Sequence, residues 1–269
     1  MTEEAGDKLR IALVSLDQQW EDKEGNLARC VELSGQAGDC GAELVIFPEM
    51  TLTGFSMNTL ATAEAAEDSA TLRQFRDMAR AAGVAIVFGM ACRREGKAEN
   101  TLFHVSSQGE VLARYVKMHS FSFAGEDRYF SRGDRLAEVE MGAFTIGFSI
   151  CYDLRFPELY SALARQCNFI VNIANWPQRR VQHWRALLQA RAIENQVYIA
   201  GINRTGRDGN GLEYEKSSLL FDANGDLLEA VHAGSELDVY EISAGRLEEF
   251  RGQFNTRKDR VPDIYRALI

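Results

Sequence analysis

The sequence lacks a basic surplus, a cysteine framework and a long apolar run. Its 269 residues carry 30 Lys and Arg against 39 Asp and Glu, a formal net charge of -9, whereas a nucleic-acid binder shows clustered positive charge. No stretch approaches the roughly 18 unbroken apolar residues of a membrane span. The start MTEEAGDKLR is acidic and polar, the reverse of a signal peptide's basic and then apolar opening. Neither nucleic acid nor membrane is therefore expected as a partner. The five cysteines, Cys30, Cys40, Cys92, Cys151 and Cys167, are odd in number, scattered and without a CxxC pair. This argues against a disulfide framework and for free thiols in a reducing, cytoplasmic setting. Proline is scarce, at 4 residues, and no Pro-, Ser- or Gly-rich stretch marks a linker, so residues 1–269 read as one continuous domain.

Several common sites are missing as well. There is no Walker A loop, HExxH, GxSxG elbow or strand–GxGxxG–helix unit. His104, His119, His183 and His232 lie far apart, at no metal-ligand spacing from one another or from a cysteine. No metal and no cofactor is expected.

What is present is an alternation of short apolar runs with amphipathic stretches. Strands are expected at residues 11–14, 43–47, 84–92, 144–150, 169–174 and 197–202. Helices are expected at 27–37, 72–82, 157–165 and 184–195. Residues 101–106 and 111–117 should form a hairpin around Gln108-Gly109, and 217–221 should pair with 227–231 across Asn224-Gly225. Fully apolar strands alternating with helices indicate an α/β layered protein with buried sheets. A faint internal echo accompanies this pattern. Cys40-Gly41 leads through an apolar strand to Pro48, and Cys167-Asn168 leads through another to Asn175-Trp176-Pro177, as in two similar halves facing each other.

Three polar residues close apolar strands. Glu49 follows Val45-Ile46-Phe47-Pro48, Lys117 follows Tyr115-Val116, and Cys151 follows Phe148-Ser149-Ile150 and opens Tyr152-Asp153-Leu154-Arg155-Phe156-Pro157. Ligand sites of α/β sheets gather beyond the carboxyl ends of strands. A strand-to-helix corner presents a nucleophile, with a helix N-terminus at hand to favour the thiolate. Singly, each residue is ordinary: a small core thiol, a solvated loop carboxylate, an edge lysine. Together they are what cysteine acyl transfer requires without histidine, namely a thiol, a carboxylate base and a fixed positive charge for the oxyanion.

The blocks around Glu49, Lys117 and Cys151, in that order, resemble the three signature blocks of the nitrilase superfamily of carbon–nitrogen hydrolases. Asn172-Ile173-Ala174-Asn175-Trp176-Pro177, Ala190-Arg191-Ala192-Ile193-Glu194-Asn195 and Gly201-Ile202-Asn203-Arg204 are similar too, so the resemblance spans nearly the whole chain. Within the superfamily it is strongest toward ω-amidases acting on α-keto acid amides such as 2-oxoglutaramate. It implies a four-layer α-β-β-α sandwich, a homodimer or higher oligomer, and a small-molecule amide substrate. It also implies roles: Glu49 as general base, Cys151 as nucleophile, Lys117 as oxyanion stabiliser helped by the Tyr152 N–H, and Glu126 as a second active-site glutamate. Ammonia would leave from a thioester-forming step, and water would then release the acid.

Arg155, just after the nucleophile, is placed to grip a substrate carboxylate, since a planar guanidinium binds carboxylates bidentately. The bland alternative is an ion pair with Asp153 or Glu158. Trp176 and Phe123 are candidate pocket walls, and Arg132 and Arg204 are possible contributors to a local positive field. A Cys–His pair using His119 or His183 is the competing nucleophile chemistry. Competing readings of function are a deaminated-glutathione amidase, an N-carbamoyl amino acid amidohydrolase, a true nitrilase, and a catalytically silent dimeric binding protein.

Overall fold

The computed structural model describes residues 7–268. In chain order the elements are β1 (Lys8–Val14), α1 (Lys23–Asp39), β2 (Leu44–Ile46), α2 (Thr59–Thr62), α3 (Ala70–Ala82), β3 (Ala85–Cys92), β4 (Ala98–Val105), β5 (Val111–Val116), α4 (Glu126–Tyr129), β6 (Phe130–Ser131), β7 (Glu138–Met141) and β8 (Phe144–Ile150). There follow α5 (Pro157–Leu163), β9 (Phe169–Ala174), α6 (Val181–Asn195), β10 (Tyr198–Asn203), β11 (Gly206–Arg207), β12 (Glu213–Tyr214), β13 (Leu219–Phe221), β14 (His232–Ala233), β15 (Leu237–Ser243), α7 (Ala244–Gln253) and α8 (Pro262–Leu268). Short 3-10 turns cover Ser122–Ala124, Cys151–Arg155, Gln178–Arg180 and Arg257–Asp259.

The helix boundaries follow local chemistry. The Asp22 carboxylate accepts the Gly25 N–H at the start of α1, and the Ser69 hydroxyl accepts the Leu72 N–H at the start of α3. Gly83 ends α3 with φ 67°, a left-handed turn that suits glycine. Pro157 opens α5, where its missing N–H is not needed.

Two sheets result. One runs β14-β15-β1-β2-β3-β4-β5 with β6 beside β4, and the other runs β13-β10-β9-β8-β7. Three apolar clusters show how they are layered. Leu13, Ile46 and Val87 of the first sheet meet Phe148, Val171 and Ile202 of the second. The outer side of the first sheet packs Val45 and Phe88 on Leu33 of α1 and Phe75 of α3. The outer side of the second packs Ile170 and Ile199 on Tyr160 of α5 and Trp184 of α6. The order is therefore helix, sheet, sheet, helix, as expected, and burial on both faces explains the unbroken apolar strands.

The hairpin across Asn224-Gly225 is only partly formed. The Asp222 carboxylate does close the turn on the N–H groups of Asn224 and Asp226, each at 2.9 Å. Residues 227–231, however, make a single bridge, Leu227 to Phe221, and no strand. The chain crosses instead to the other sheet, where the Val231 N–H donates to Val239 O at 2.7 Å. Strand β15 and helices α7 and α8 had no counterpart in the sequence pattern.

Candidate functional site

The first sheet ends its β2 at a loop held from three sides. Gln18 Nε2 donates to the carbonyl oxygens of Glu49, Met50 and Thr51 at 3.0, 3.0 and 3.1 Å. Met50 has φ 45°, a conformation a residue with Cβ rarely adopts. Gly89 of β3 lies directly beneath, and a Cβ built on it would fall 2.7 Å from Met50 N and 3.2 Å from Glu49 Cα. Only glycine lets this loop sit so close to the sheet.

Lys117 leaves the end of β5, its backbone N–H tied to Asn100 O of β4 at 2.9 Å. Its ammonium lies 3.0 Å from Glu49 Oε1 and 2.9 Å from Glu126 Oε2. The lysine side chain is 2% exposed and the two carboxylates 0%, so solvent screens the three charges little. Asn100 Nδ2 donates to Glu49 Oε1 at 2.7 Å and to Glu126 Oε1 at 3.0 Å. The Phe121 N–H donates to Glu126 Oε2 at 2.6 Å, and the Asn175 N–H to Glu49 Oε2 at 2.9 Å. Burial by itself would lower the lysine pKa, but the Glu126 and Glu49 charges outweigh it and hold the ammonium above the ordinary lysine value. Burial also raises the Glu126 pKa, against the pull of Lys117.

Cys151 follows β8 directly, with φ 45°, and begins the 3-10 turn Cys151–Arg155. Amides in such a first turn have no acceptor within the helix, and that of Tyr152 is one of them. The elbow is fastened by Asp153, fully buried. One of its oxygens accepts the Tyr115 hydroxyl at 2.8 Å and the Ile150 N–H at 3.0 Å. The other accepts the His119 N–H at 2.9 Å and faces His119 Nδ1 at 2.7 Å. The segments carrying Lys117 and Cys151 are thereby joined through one carboxylate. The Cys151 thiol points to Asn175 O at 3.9 Å. Burial first, then the Glu49 charge, pushes its pKa well up, with Lys117 opposing. This corrects the sequence reading of a helix end that favours the thiolate: the helix is a single 3-10 turn, and burial, followed by the Glu49 charge, dominates.

A cavity of about 310 Å³ opens over Cys151 and Lys117 and is bounded by Tyr152, Arg155, Trp176 and Phe123, as the sequence suggested. Trp176 is 3% exposed and Phe123 81%, so one is a fixed wall and the other a rim. Arg155 pairs with neither Asp153 nor Glu158; its Cζ lies over the Trp176 ring at 4.8 Å and the Tyr152 ring at 5.9 Å. The two residues suggested as further positive charge are not in the lining. Arg132 is exposed elsewhere, and Arg204 is buried, donating to Gln18 O and Arg207 O. Arg179 and Arg180, which the sequence did not single out, line the cavity instead. His119 is turned to Asp153 and stacked on Phe156 at 3.8 Å. His183 sits 3.4 Å from Arg155 Nη2. Neither histidine contacts Cys151, so the Cys–His reading fails. Asn100 was also missed, since a lone Asn inside a strand carries no sequence signal. Among the described residues no helix is long and apolar enough to cross a membrane.

Comparison with known proteins agrees with this geometry. The carbon–nitrogen hydrolase family profile matches residues 10–252. The chain is 34% identical over 248 residues to the omega-amidase YafV of Yersinia enterocolitica, covering 91% of this chain and 94% of that protein. It is 32% identical over 228 residues to the 2-oxoglutaramate amidase of Bacillus subtilis, covering 83% and 87%. Among solved structures, XC1258 from Xanthomonas campestris is a CN-hydrolase superfamily protein with an arsenic adduct in its active site. It matches with a TM-score of 0.87 at 32% identity, over 94% of this chain and 97% of that one. An amidase from Nesterenkonia sp. matches with a TM-score of 0.85 at 25% identity, over 100% and 99%.

Proposed function

The chain belongs to the carbon–nitrogen hydrolase family and is a hydrolase of non-peptide carbon–nitrogen bonds, and we propose that it is a cysteine-dependent amidase. Its substrate in this reading is the terminal amide of a small carboxylate-bearing compound, an α-keto acid amide such as 2-oxoglutaramate. The observation that carries the reading is the buried Lys117 ammonium between Glu49 and Glu126, beneath the cavity that Cys151 faces.

In the proposed reaction Cys151 Sγ attacks the amide carbonyl carbon while Glu49 takes the thiol proton. The oxyanion that forms is met by the Lys117 ammonium and the Tyr152 N–H. Collapse of the tetrahedral species breaks the C–N bond, Glu49 returns the proton to nitrogen, and ammonia leaves a thioester behind. Water then attacks the thioester carbon and gives its proton to Glu49. The acid departs as the proton returns to sulfur. Glu126 touches Lys117 through both oxygens and balances the ammonium while Glu49 changes charge. A raised thiol pKa fits this scheme, because the proton then leaves only as sulfur commits to carbon.

The cavity volume supports a small substrate, being at the low end of the roughly 300–1,000 Å³ typical of ligand pockets. That favours a keto-acid amide over a deaminated tripeptide. Arg155, supported on Trp176 with no carboxylate partner among the described residues, supplies the carboxylate grip. The omega-amidase and 2-oxoglutaramate amidase relatives point the same way. A related amidase structure shows acrylamide added to its active-site cysteine. On the same resemblance we propose a homodimer, which light scattering on the eluting protein would check. The five free cysteines suit a reducing cytoplasm.

Ammonia release should be measured on 2-oxoglutaramate, 2-oxosuccinamate, deaminated glutathione, N-carbamoyl amino acids and a simple nitrile. Highest kcat/KM on one of the first two is expected. Turnover of the nitrile alone would overturn the assignment.

A further inference from the structure

The mouth of the cavity holds positive charge that no side chain answers. Arg155 and Arg180 both line it and both are half-buried, yet neither makes an ion pair with Asp or Glu among the described residues. The polar contact of the Arg155 guanidinium is His183 Nδ1 at 3.4 Å. The carboxylates close by are already engaged. Asp208 accepts the Asn210 and Leu212 N–H groups and the Tyr214 hydroxyl, each at 2.9 Å, while Glu49 and Glu126 hold Lys117. In a chain of net charge -9, guanidinium groups left together without counter-charge in a concave site mark a place where an anion relieves repulsion.

Trp176 supports the Arg155 guanidinium and anchors the Arg180 backbone. Its ring supports the Arg155 guanidinium at 4.8 Å, and its indole N–H donates to Arg180 O at 2.8 Å. The tryptophan is itself locked: its N–H donates to Asn203 Oδ1 at 2.7 Å, and Asn203 Nδ2 donates to its carbonyl at 2.9 Å. The Arg180 guanidinium lies over the Phe121 ring at 5.4 Å. Burial, then the Arg179 and Arg155 charges, lowers its pKa, as for cations facing one another. Binding groups held this way lose little freedom when a ligand arrives.

We propose that Arg180 is a specificity-determining residue, forming with Arg155 a two-guanidinium clamp that takes the carboxylate at the far end of the substrate from the scissile amide. The clamp rests on the amidase reading above and extends it: one guanidinium grips the anion, and the second makes the charge a condition of tight binding. Two forks can share the four lone-pair positions of one carboxylate, and a neutral chain end leaves both cations unanswered.

The test compares 2-oxoglutaramate with pentanamide, which has the same carbon chain and no charge, in wild type, Arg180→Ala, Arg180→Lys and Arg155→Lys. For Arg180→Ala the ratio of kcat/KM on the anionic amide to that on the neutral one should fall about 30-fold. The fall should lie mainly in KM, with kcat on 2-oxoglutaramate within about threefold. Arg180→Lys should fall less, since it keeps the charge and loses the fork. Unchanged Tm and unchanged alkylation of Cys151 would show that the variants are folded. A wild type that prefers 2-oxoglutaramate while Arg180→Ala keeps its KM overturns the clamp alone. A wild type that turns over pentanamide equally well, or neither compound, overturns the clamp together with the reading beneath it.

Discussion

Asn175 donates its backbone N–H to Glu49 Oε2 at 2.9 Å and its side-chain amide to Glu49 O at 2.6 Å. The two residues follow β2 and β9, the corresponding strands of the two halves that echo each other in the sequence. The echo thus has a chemical consequence: one half supplies the carboxylate, and the other supplies the amides that aim it.

That aim depends on how closely the Glu49 loop approaches β3. A Cβ at position 89 would meet Met50 N at 2.7 Å, a backbone atom that cannot swing aside. Gly89→Ala should therefore cost about 1–3 kcal/mol of stability and lower kcat about 100-fold by moving the carboxylate about 1 Å. Urea unfolding and ammonia-release kinetics check both. A variant with wild-type kcat would show that the loop tolerates the shift.

Removing the buried ammonium should leave two facing carboxylates. Lys117→Met is expected to destabilise by about 3–5 kcal/mol, with one carboxyl keeping its proton. Its folded pKa then lies above the unfolded value, so this stability is present at low pH and lost as pH rises through the folded pKa. Urea midpoints at pH 5.5 and 8.5 should show the larger deficit at 8.5. Equal deficits would argue against charge repulsion in the triad.

The Cys151 thiol offers a cleaner electrostatic test. After burial, the Glu49 charge is what raises its pKa, and Lys117 opposes it. Glu49→Gln should lower the midpoint of iodoacetamide alkylation against pH, while amidase activity falls at least 1,000-fold, roughly the upper range for general base catalysis. The variant would thus carry a more ionised nucleophile and a slower reaction. A midpoint that stays or rises would contradict the arrangement.

His104, inside β4, is fully buried, with neither ring nitrogen hydrogen-bonded and its ring edge-on to Phe148 at 5.7 Å. Burial pushes its pKa down to about 4. The unfolded chain takes up this proton near pH 6.5, so stability is full above that value and lost as pH falls toward 4, by about 3 kcal/mol. His104→Leu should show a shallower loss between pH 7 and 4.5 by urea unfolding. An identical slope would remove His104 from the acid response.

The sequence made the architecture legible wherever strands are apolar on both faces: residues 144–150 and 169–174 are strands at the expected bounds. It failed for β15, whose run is interrupted by Asp238 and Glu241. Both charges are answered from distant segments, Asp238 by Lys216 at 2.7 Å and Glu241 by Arg10 at 2.9 Å, and no local pattern records such partners. The site divides in the same way. Glu49, Lys117 and Cys151 mark strand ends and could be read directly. Asn100 and Arg180 act only through neighbours brought in by folding, and the thiol pKa is raised by burial first and then by the Glu49 charge, far away along the chain.

The most direct test of the central claim is mass spectrometry of the protein quenched in acid during turnover of 2-oxoglutaramate. An acyl group is expected on the peptide containing Cys151, cleaved by hydroxylamine as a thioester is, and absent from Cys151→Ala together with ammonia release. Ammonia release that persists in Cys151→Ala would contradict it.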